Sequence, residues 1–299
     1  MKILISGMGG LLGAAIAVAA RGRGHRPESF QRRPLPSLTH AELTQQLRRY
    51  DVFIHAAADT NVDRGELNPD ACYRDNLLLT ELLAHAAACA PVRFVFISSC
   101  GVYGNHSRSA YAEYDATHPT THHHRSKLLA EDAARRLAPA CLIVRTGWLF
   151  GGKIDAPRNF VARRIAEAML AAHQGRALKA NSAQRGNPCS VDDVAERILT
   201  LLDAECIGTF NCVNEGAASR FEYVQAIVQL AGIPTPVLAA APREFTRPAL
   251  VPDNEAARNW RAEALGFAPM RDWRTALAAY IASLSIQLDI PPDNTNHAD

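Results

Sequence analysis

Gly7-Met8-Gly9-Gly10-Leu11-Leu12-Gly13 stands between an apolar run, Lys2 to Ser6, and an apolar helical stretch, Leu12 to Arg21. A glycine-rich segment placed so can turn tightly, lay bare backbone against a pyrophosphate and aim helix amides at its charge. Gly7, Gly9, Gly10, Leu11, Leu12 and Gly13 are therefore the expected dinucleotide contacts. An NAD-binding chain places an acidic residue at the end of its second strand, against the adenosine ribose. Gln31-Arg32-Arg33 stands there instead, and a guanidinium fits a 2′-phosphate, so Arg32 and Arg33 point to NADP(H); the bland alternative is a solvated surface pair. A second concentration of chemistry is Thr121-His122-His123-His124-Arg125-Ser126-Lys127. Adjacent helical residues point about 100° apart, so three consecutive imidazoles cannot converge on one ion, and no metal site is expected. The seven cysteines are odd in number, lack CxxC or CxxH spacing and read as buried thiols of a reducing cytoplasm. Cys100 is the one to watch, because it directly follows Ser98-Ser99.

The elements that must position these groups alternate short apolar runs with amphipathic stretches, the pattern of βαβ units and a parallel sheet. Strands are expected at Lys2 to Ser6, Val52 to Ala57, Arg93 to Ser98 and Leu142 to Arg145, with helices at Leu12 to Arg21, Asp70 to Ala88 and Ser126 to Leu137. The strands are continuously apolar, so each is covered on both faces, and ligands belong beyond their carboxyl ends. The fold class is α/β: a Rossmann-type doubly wound parallel sheet with a smaller α/β lobe. The nucleotide-binding domain is expected to take residues 1–150, about 160–175 and 190–214, the smaller lobe about 176–189 and 215–284, and a frayed tail 285–299.

Composition bounds the function. With 299 residues, 48% hydrophobic and 21% charged, the chain is globular rather than disordered or fibrous. A net charge of +2 with scattered basic residues argues against nucleic-acid binding. The longest apolar stretch, Leu11 to Ala20, is interrupted by Gly13 and too short to span a membrane, and Met1 to Gly7 has no signal-peptide layout. A cytoplasmic location, a small-molecule substrate and a possible homodimer are expected.

Further motifs occur in order: His55-Ala56-Ala57-Ala58-Asp59-Thr60-Asn61-Val62-Asp63, then Glu66, Pro69 and Asn76, Ser98-Ser99-Cys100-Gly101-Val102-Tyr103-Gly104, Lys127 after Pro119, Arg145-Thr146-Gly147-Trp148, Asn159-Phe160-Val161, Gln184-Arg185-Gly186-Asn187-Pro188 and Arg247-Pro248. With the glycine turn, they resemble the extended short-chain dehydrogenase/reductase family, and within it the subgroup of dTDP-4-dehydrorhamnose reductases, from residue 1 to about 283. The resemblance implies that Ala56, Ala57, Ala58, Asn76 and Lys127 join the cofactor contacts. It implies that Ser99 and Lys127 act on a carbonyl beside the nicotinamide, the lysine also lowering the pKa of a neighbouring acid. Thr60, Val62, Tyr103, Trp148, Asn159, Gln184, Arg185 and Arg247 would face a nucleotide sugar, an arginine fork suiting its diphosphate; Arg247 could equally pair with a local carboxylate, and Trp148 could be core. His55 reads as a packed strand end, and the Asp59/Asp63 and Glu113/Asp115 pairs as turn and loop groups.

The family's acid/base tyrosine belongs four residues before the lysine, and position 123 is histidine. Three readings follow. The imidazole of His123 replaces the phenol as proton donor; or Tyr103, Tyr111, Cys100 or His122 supplies the proton, or none is needed; or the chain binds dinucleotide without turnover, as the regulatory subunit of methionine adenosyltransferase does on the same scaffold. The leading expectation is NADPH-dependent reduction of a carbonyl, most simply a 4-keto nucleotide sugar, with Ser99, His123 and Lys127 at an atypical site. An epimerase or lyase of the same fold is a further alternative.

Overall fold

The computed structural model describes residues 1–31, 34–156 and 159–288. The first strand, β1 (Lys2–Ser6), sends Ile3 and Ile5 into one core layer and Leu4 into the other, as a period of two requires of a strand buried on both faces. Helix α1 (Leu11–Gly22) packs on the first layer. Strand β2 (Arg26–Ser29) is short and largely exposed, and Pro27 fits there because β2 is an edge strand. Helix α2 (His40–Leu47) leads to β3 (Val52–His55), which ends before the expected Ala57, so Ala56 and Ala57 leave the ladder at the sheet's carboxyl edge.

A short helix, α3 (Val62–Leu67), comes first, and the helix expected from Asp70 to Ala88 is three pieces: α4 (Pro69–Tyr73), a π-helical turn at Arg74–Leu78, and α5 (Leu79–Ala88). Strand β4 (Arg93–Ser99) is followed by α6 (His122–Leu137), which starts four residues before the expected Ser126. Thr121 caps it, its Oγ1 accepting from the His124 amide, so the whole histidine run is helical. Strand β5 (Leu142–Thr146) completes the first half.

Beyond it, β6 (Trp148–Phe150), α7 (Phe160–His173), β7 (Leu178–Asn181), β8 (Arg185–Gly186), β9 (Pro188–Ser190), α8 (Val191–Asp203), β10 (Gly208–Cys212), β11 (Ala218–Ser219), α9 (Arg220–Leu230), β12 (Val237–Ala240), α10 (Trp260–Ala264) and α11 (Trp273–Leu288) follow. The main sheet has six parallel strands in the order β10-β5-β4-β3-β1-β2, with helices on both faces. Because β2 and β3 flank β1 on opposite sides, the chain reverses direction across the sheet there, which opens a crevice at the end of β1. Three two-stranded sheets, β6 with β9, β7 with β12 and β8 with β11, lie outside it. Helix α11 runs to Leu288, into the segment expected as tail; 289–299 lie outside the described residues, as do Arg32 and Arg33. Among the described residues no helix is long and apolar enough to cross a membrane.

Candidate active site

The glycine turn sits at the crevice. Gly7 has φ +72°, and a Cβ there would stand 2.8 Å from the Ala57 backbone, so β1 and the segment after β3 approach as only glycine permits. A Cβ at Gly13 would stand 2.1 Å from the Gly7 carbonyl oxygen, whereas one at Gly9 would meet nothing within 4 Å. Gly10 is the N-cap of α1 and has no side chain to satisfy the first-turn amides, which leaves them for an anion. This cradle fits a dinucleotide pyrophosphate. The side chain of Leu12 is buried in the core, so any contact it makes to a ligand is through its backbone amide.

The segment after β3 is held from behind. Asn76, buried in the π-helical turn, accepts from the Asp59 amide at 2.8 Å and donates through Nδ2 to the Asp59 carbonyl at 3.1 Å and to Ser126 Oγ at 3.0 Å. Its amide is thereby spent on shaping the loop. Asp59 forms a two-bond ion pair with Arg64, a local role. His55 bridges Ser6 Oγ and Thr80 Oγ1 within the core, as expected of a packed strand end.

Helix α6 then brings its charged face to the ends of β3 and β4. Lys127 Nζ donates to the Ile97 carbonyl at 2.5 Å and lies 4.0 Å from the Phe96 ring centre. Burial pulls its pKa down to about 7, against the opposing pull of Glu131. Ser99, at the end of β4, is half-buried; its Oγ accepts from the Gly101 amide at 3.2 Å, which leaves the hydroxyl proton free to donate.

His123, one helical turn before Lys127, is 6% exposed. Its Nδ1 lies 2.9 Å from the Asp59 carbonyl oxygen. A carbonyl only accepts, so Nδ1 carries the hydrogen and Nε2 of the neutral ring carries a lone pair. Burial, then His124 and Lys127, lower its pKa to about 3, so the ring is neutral at physiological pH. In this state the imidazole is an acceptor at its outward nitrogen, unlike a phenol.

The other expected proton donors are occupied. Tyr103 is fully buried, donates to Asn211 Oδ1 at 2.8 Å and stacks on Tyr111 with ring centres 4.8 Å apart. Burial raises its pKa further, which removes it both as substrate contact and as acid. Tyr111 accepts from the His106 and Ser107 amides and donates to the Gly104 carbonyl. Cys100 is buried and its thiol is pushed well up by desolvation. His122 contacts Tyr73 on the flank of α6. Glu113 accepts from the Asn211 and Arg261 amides and Asp115 from the Ala112 amide, which are loop roles.

The expected substrate residues separate. Asn159 is a correction: buried, it caps α7 through the Ala162 amide and spends both Nδ2 hydrogens on the Lys153 carbonyl and the Tyr280 hydroxyl, so its side chain has no donor left for a ligand. Arg247 pairs with Asp63 of α3 through two bonds of 3.0 and 3.2 Å, the local-carboxylate alternative. Arg185 is exposed on β8, and Gln184 is buried with its Oε1 3.4 Å from Arg220 Nε. Thr60 is exposed and Val62 half-buried at the start of α3.

Trp148, by contrast, joins the site: its Nε1 donates to Glu255 at 2.6 Å, and the other Glu255 oxygen lies 3.7 Å from His124 Nε2. His124 thus links α6 to the second half of the chain; its Nδ1 is buried without a partner, and burial, then Arg247, lower its pKa to about 4. Missed from sequence was Arg220, which lies 3.4 Å over the Trp148 ring and makes no ion pair among the described residues. Desolvation lowers its pKa to about 10. An arginine at the N-terminus of a helix gave no signal of such a place.

The family model of the RmlD substrate binding domain matches residues 1–286. The chain belongs to this family. It is 31% identical to the dTDP-4-dehydrorhamnose reductase of Mycobacterium tuberculosis over 288 residues, 94% of this chain and 93% of that one. The fold superposes on the dTDP-4-dehydrorhamnose reductase structure of Clostridium acetobutylicum with a TM-score of 0.88 and 30% identity, covering 95% and 100% of the two chains. It superposes on that of Bacillus anthracis, solved in complex with NADP, with a TM-score of 0.85 and 25% identity over 94% and 99%. Within the RmlD family fold, the sheet and crevice described above take the Rossmann-like form of these structures.

Proposed function

We propose that this protein reduces the keto group of a nucleotide sugar, most simply a 4-keto group, with NADPH. The observation that carries the reading is the meeting, at one end of the sheet, of an amide-lined glycine turn, the Ser99 hydroxyl and the Lys127 amine in a chain of the RmlD family. Relatives of the chain are named for this reduction, and one is solved with NADP.

The cofactor supplies hydride. Gly7, Gly9, Gly10 and the first amides of α1 would hold its pyrophosphate, with Arg32 and Arg33 toward the 2′-phosphate and Ala56 to Ala58 alongside. Ser99 donates its free proton to the substrate carbonyl oxygen. Lys127, whose pKa of about 7 keeps about half of it as ammonium at neutral pH, replenishes that proton and holds the ribose. His123 accepts at Nε2 from a sugar hydroxyl and so orients the ring rather than protonating it. Arg220 and Trp148 take the diphosphate end, because Arg220 makes no direct ion pair among the described residues, feeling Glu255 only at longer range, and so can pair an incoming diphosphate.

The division into a nucleotide-binding domain and an interleaved substrate lobe, a cytoplasmic location suited to seven free cysteines, and a homodimer belong to the same proposal. The acceptor state of His123 also favours, second, a chain that binds NADPH without turning it over. Fluorescence titration with NADPH followed by oxidation assays against a panel of 4-keto nucleotide sugars separates the cases. Saturable binding with turnover supports the reductase, binding without turnover the second reading, and absence of binding sinks both.

A further inference from the structure

We propose that His40, His85 and Cys89 form a binding site for a borderline-soft divalent metal of the zinc class, apart from the reaction site. Their ligand atoms all lie within 4.8 Å of one another, and the two imidazole centres are 4.2 Å apart. His85 and Cys89 are four residues apart at the end of α5, so they share one face; His40 opens α2, which packs against it. Leu43 and Leu47 of α2 lie in one buried cluster with Leu79 and Leu83 of α5, so the two helices hold the three ligands on a rigid support.

A second observation points to a ligand. His40 Nε2 is buried and has no hydrogen-bond partner, although a nitrogen removed from water normally finds one. Its ring lies in contact with the imidazole of His85. Two nitrogens and a sulfur select zinc-like ions over magnesium or calcium, which take oxygen donors. Tetrahedral bonds of about 2.0–2.3 Å put ligand atoms roughly 3.3–3.8 Å apart. Side-chain rotation of His85 and Cys89, both exposed, closes the remaining difference. Three protein ligands leave the fourth position to water. The bound ion would clip α2 to α5 and so stabilise the packing of the two helices.

The test uses the full, untagged chain stripped with a chelator and titrated with Co²⁺ as a visible probe. The expected result is a saturable one-to-one complex with tetrahedral ligand-field bands and a thiolate-to-cobalt charge-transfer band, displaced by Zn²⁺. Cys89→Ser removes the charge-transfer band, and His40→Ala weakens binding at least about tenfold, the lower end of what losing even an outer-shell partner costs. Zn²⁺ raises the melting temperature of the wild-type chain but not of Cys89→Ser. Because Cys89 is exposed, the metal-free melting temperatures of the two should agree, which separates loss of a ligand from loss of folding. No saturable cobalt spectrum, or one that Cys89→Ser leaves unchanged, overturns the proposal.

Discussion

Replacing His123 separates a proton donor from an orienting acceptor. Its Nδ1 hydrogen is committed to the Asp59 carbonyl, so only the imidazolium could donate from Nε2. With a pKa of about 3, only about one molecule in ten thousand is protonated at pH 7. General acid catalysis contributes about 10²–10⁴ in rate, which such a population would cancel. His123→Phe should therefore lower kcat for NADPH oxidation by no more than about tenfold, the effect of losing one orienting hydrogen bond. His123→Tyr, which places an O–H four residues before Lys127, should raise kcat by about 10² or more. Asp59 keeps its bond from Asn76 in either variant, so the loop should hold. The assay is steady-state NADPH oxidation with a 4-keto nucleotide sugar, alongside the NADPH Kd as a control. A loss beyond about 100-fold in His123→Phe with an unchanged Kd would refute the reasoning and restore the imidazole as the acid.

Three further outcomes are expected. His123 and His124 are buried with folded pKa values of about 3 and about 4, below the unfolded value of about 6.5, so the unfolded chain binds more protons between those limits. Stability should be intact above about pH 6.5 and fall as pH drops through this window; in urea melts at pH 7 and 5, His124→Gln should show a smaller loss than wild type. Arg220→Gln should raise the KM for the nucleotide sugar at least about tenfold while changing the NADPH Kd little, because charge-assisted bonds are worth about 1.5–3 kcal/mol; an unchanged KM removes Arg220 from the diphosphate end. Gly13→Ala pushes a methyl into the Gly7 carbonyl, so α1 must shift; about 1–3 kcal/mol of stability and most NADPH affinity should go together, read by melting and fluorescence titration.

Much of this was legible in the sequence because it is local. The glycine turn and the apolar strands depend on neighbours within a few residues, and the central sheet follows from them. What misled was the fate of side chains whose partners lie far along the chain. Tyr103 is spent on Asn211, 108 residues away, and Asn159 on Tyr280, 121 away; for Arg247 the carboxylate weighed from sequence is that of Asp63, 184 residues away, which the sequence alone could not name. Residue type announces what each can bond, while burial and partner decide what it does bond. The proposed metal cluster obeys the same rule: His123 and His124, adjacent in sequence, touch edge to face yet join no three-ligand group among the described residues, whereas His40 and His85 are brought together by the packing of α2 on α5.

His123 is the sharpest case. In sequence it is an imidazole where the family has a phenol, and its ordinary pKa near neutrality invites the role of acid. Burial reverses the inference, because a desolvated ring beside Lys127 resists a second positive charge. The Asp59 carbonyl then selects the tautomer, and Asn76 fixes that carbonyl from the other side. On the proposed reading, substituting the tyrosine changes which groups can donate a proton at this crevice: the phenol's role would divide between Ser99, which still holds a free hydroxyl proton, and Lys127, which burial brings down to a pKa of about 7. A site arranged so needs the lysine charged to donate, so reduction should slow as pH rises through about 7, the direction opposite to that of the histidines' effect on stability.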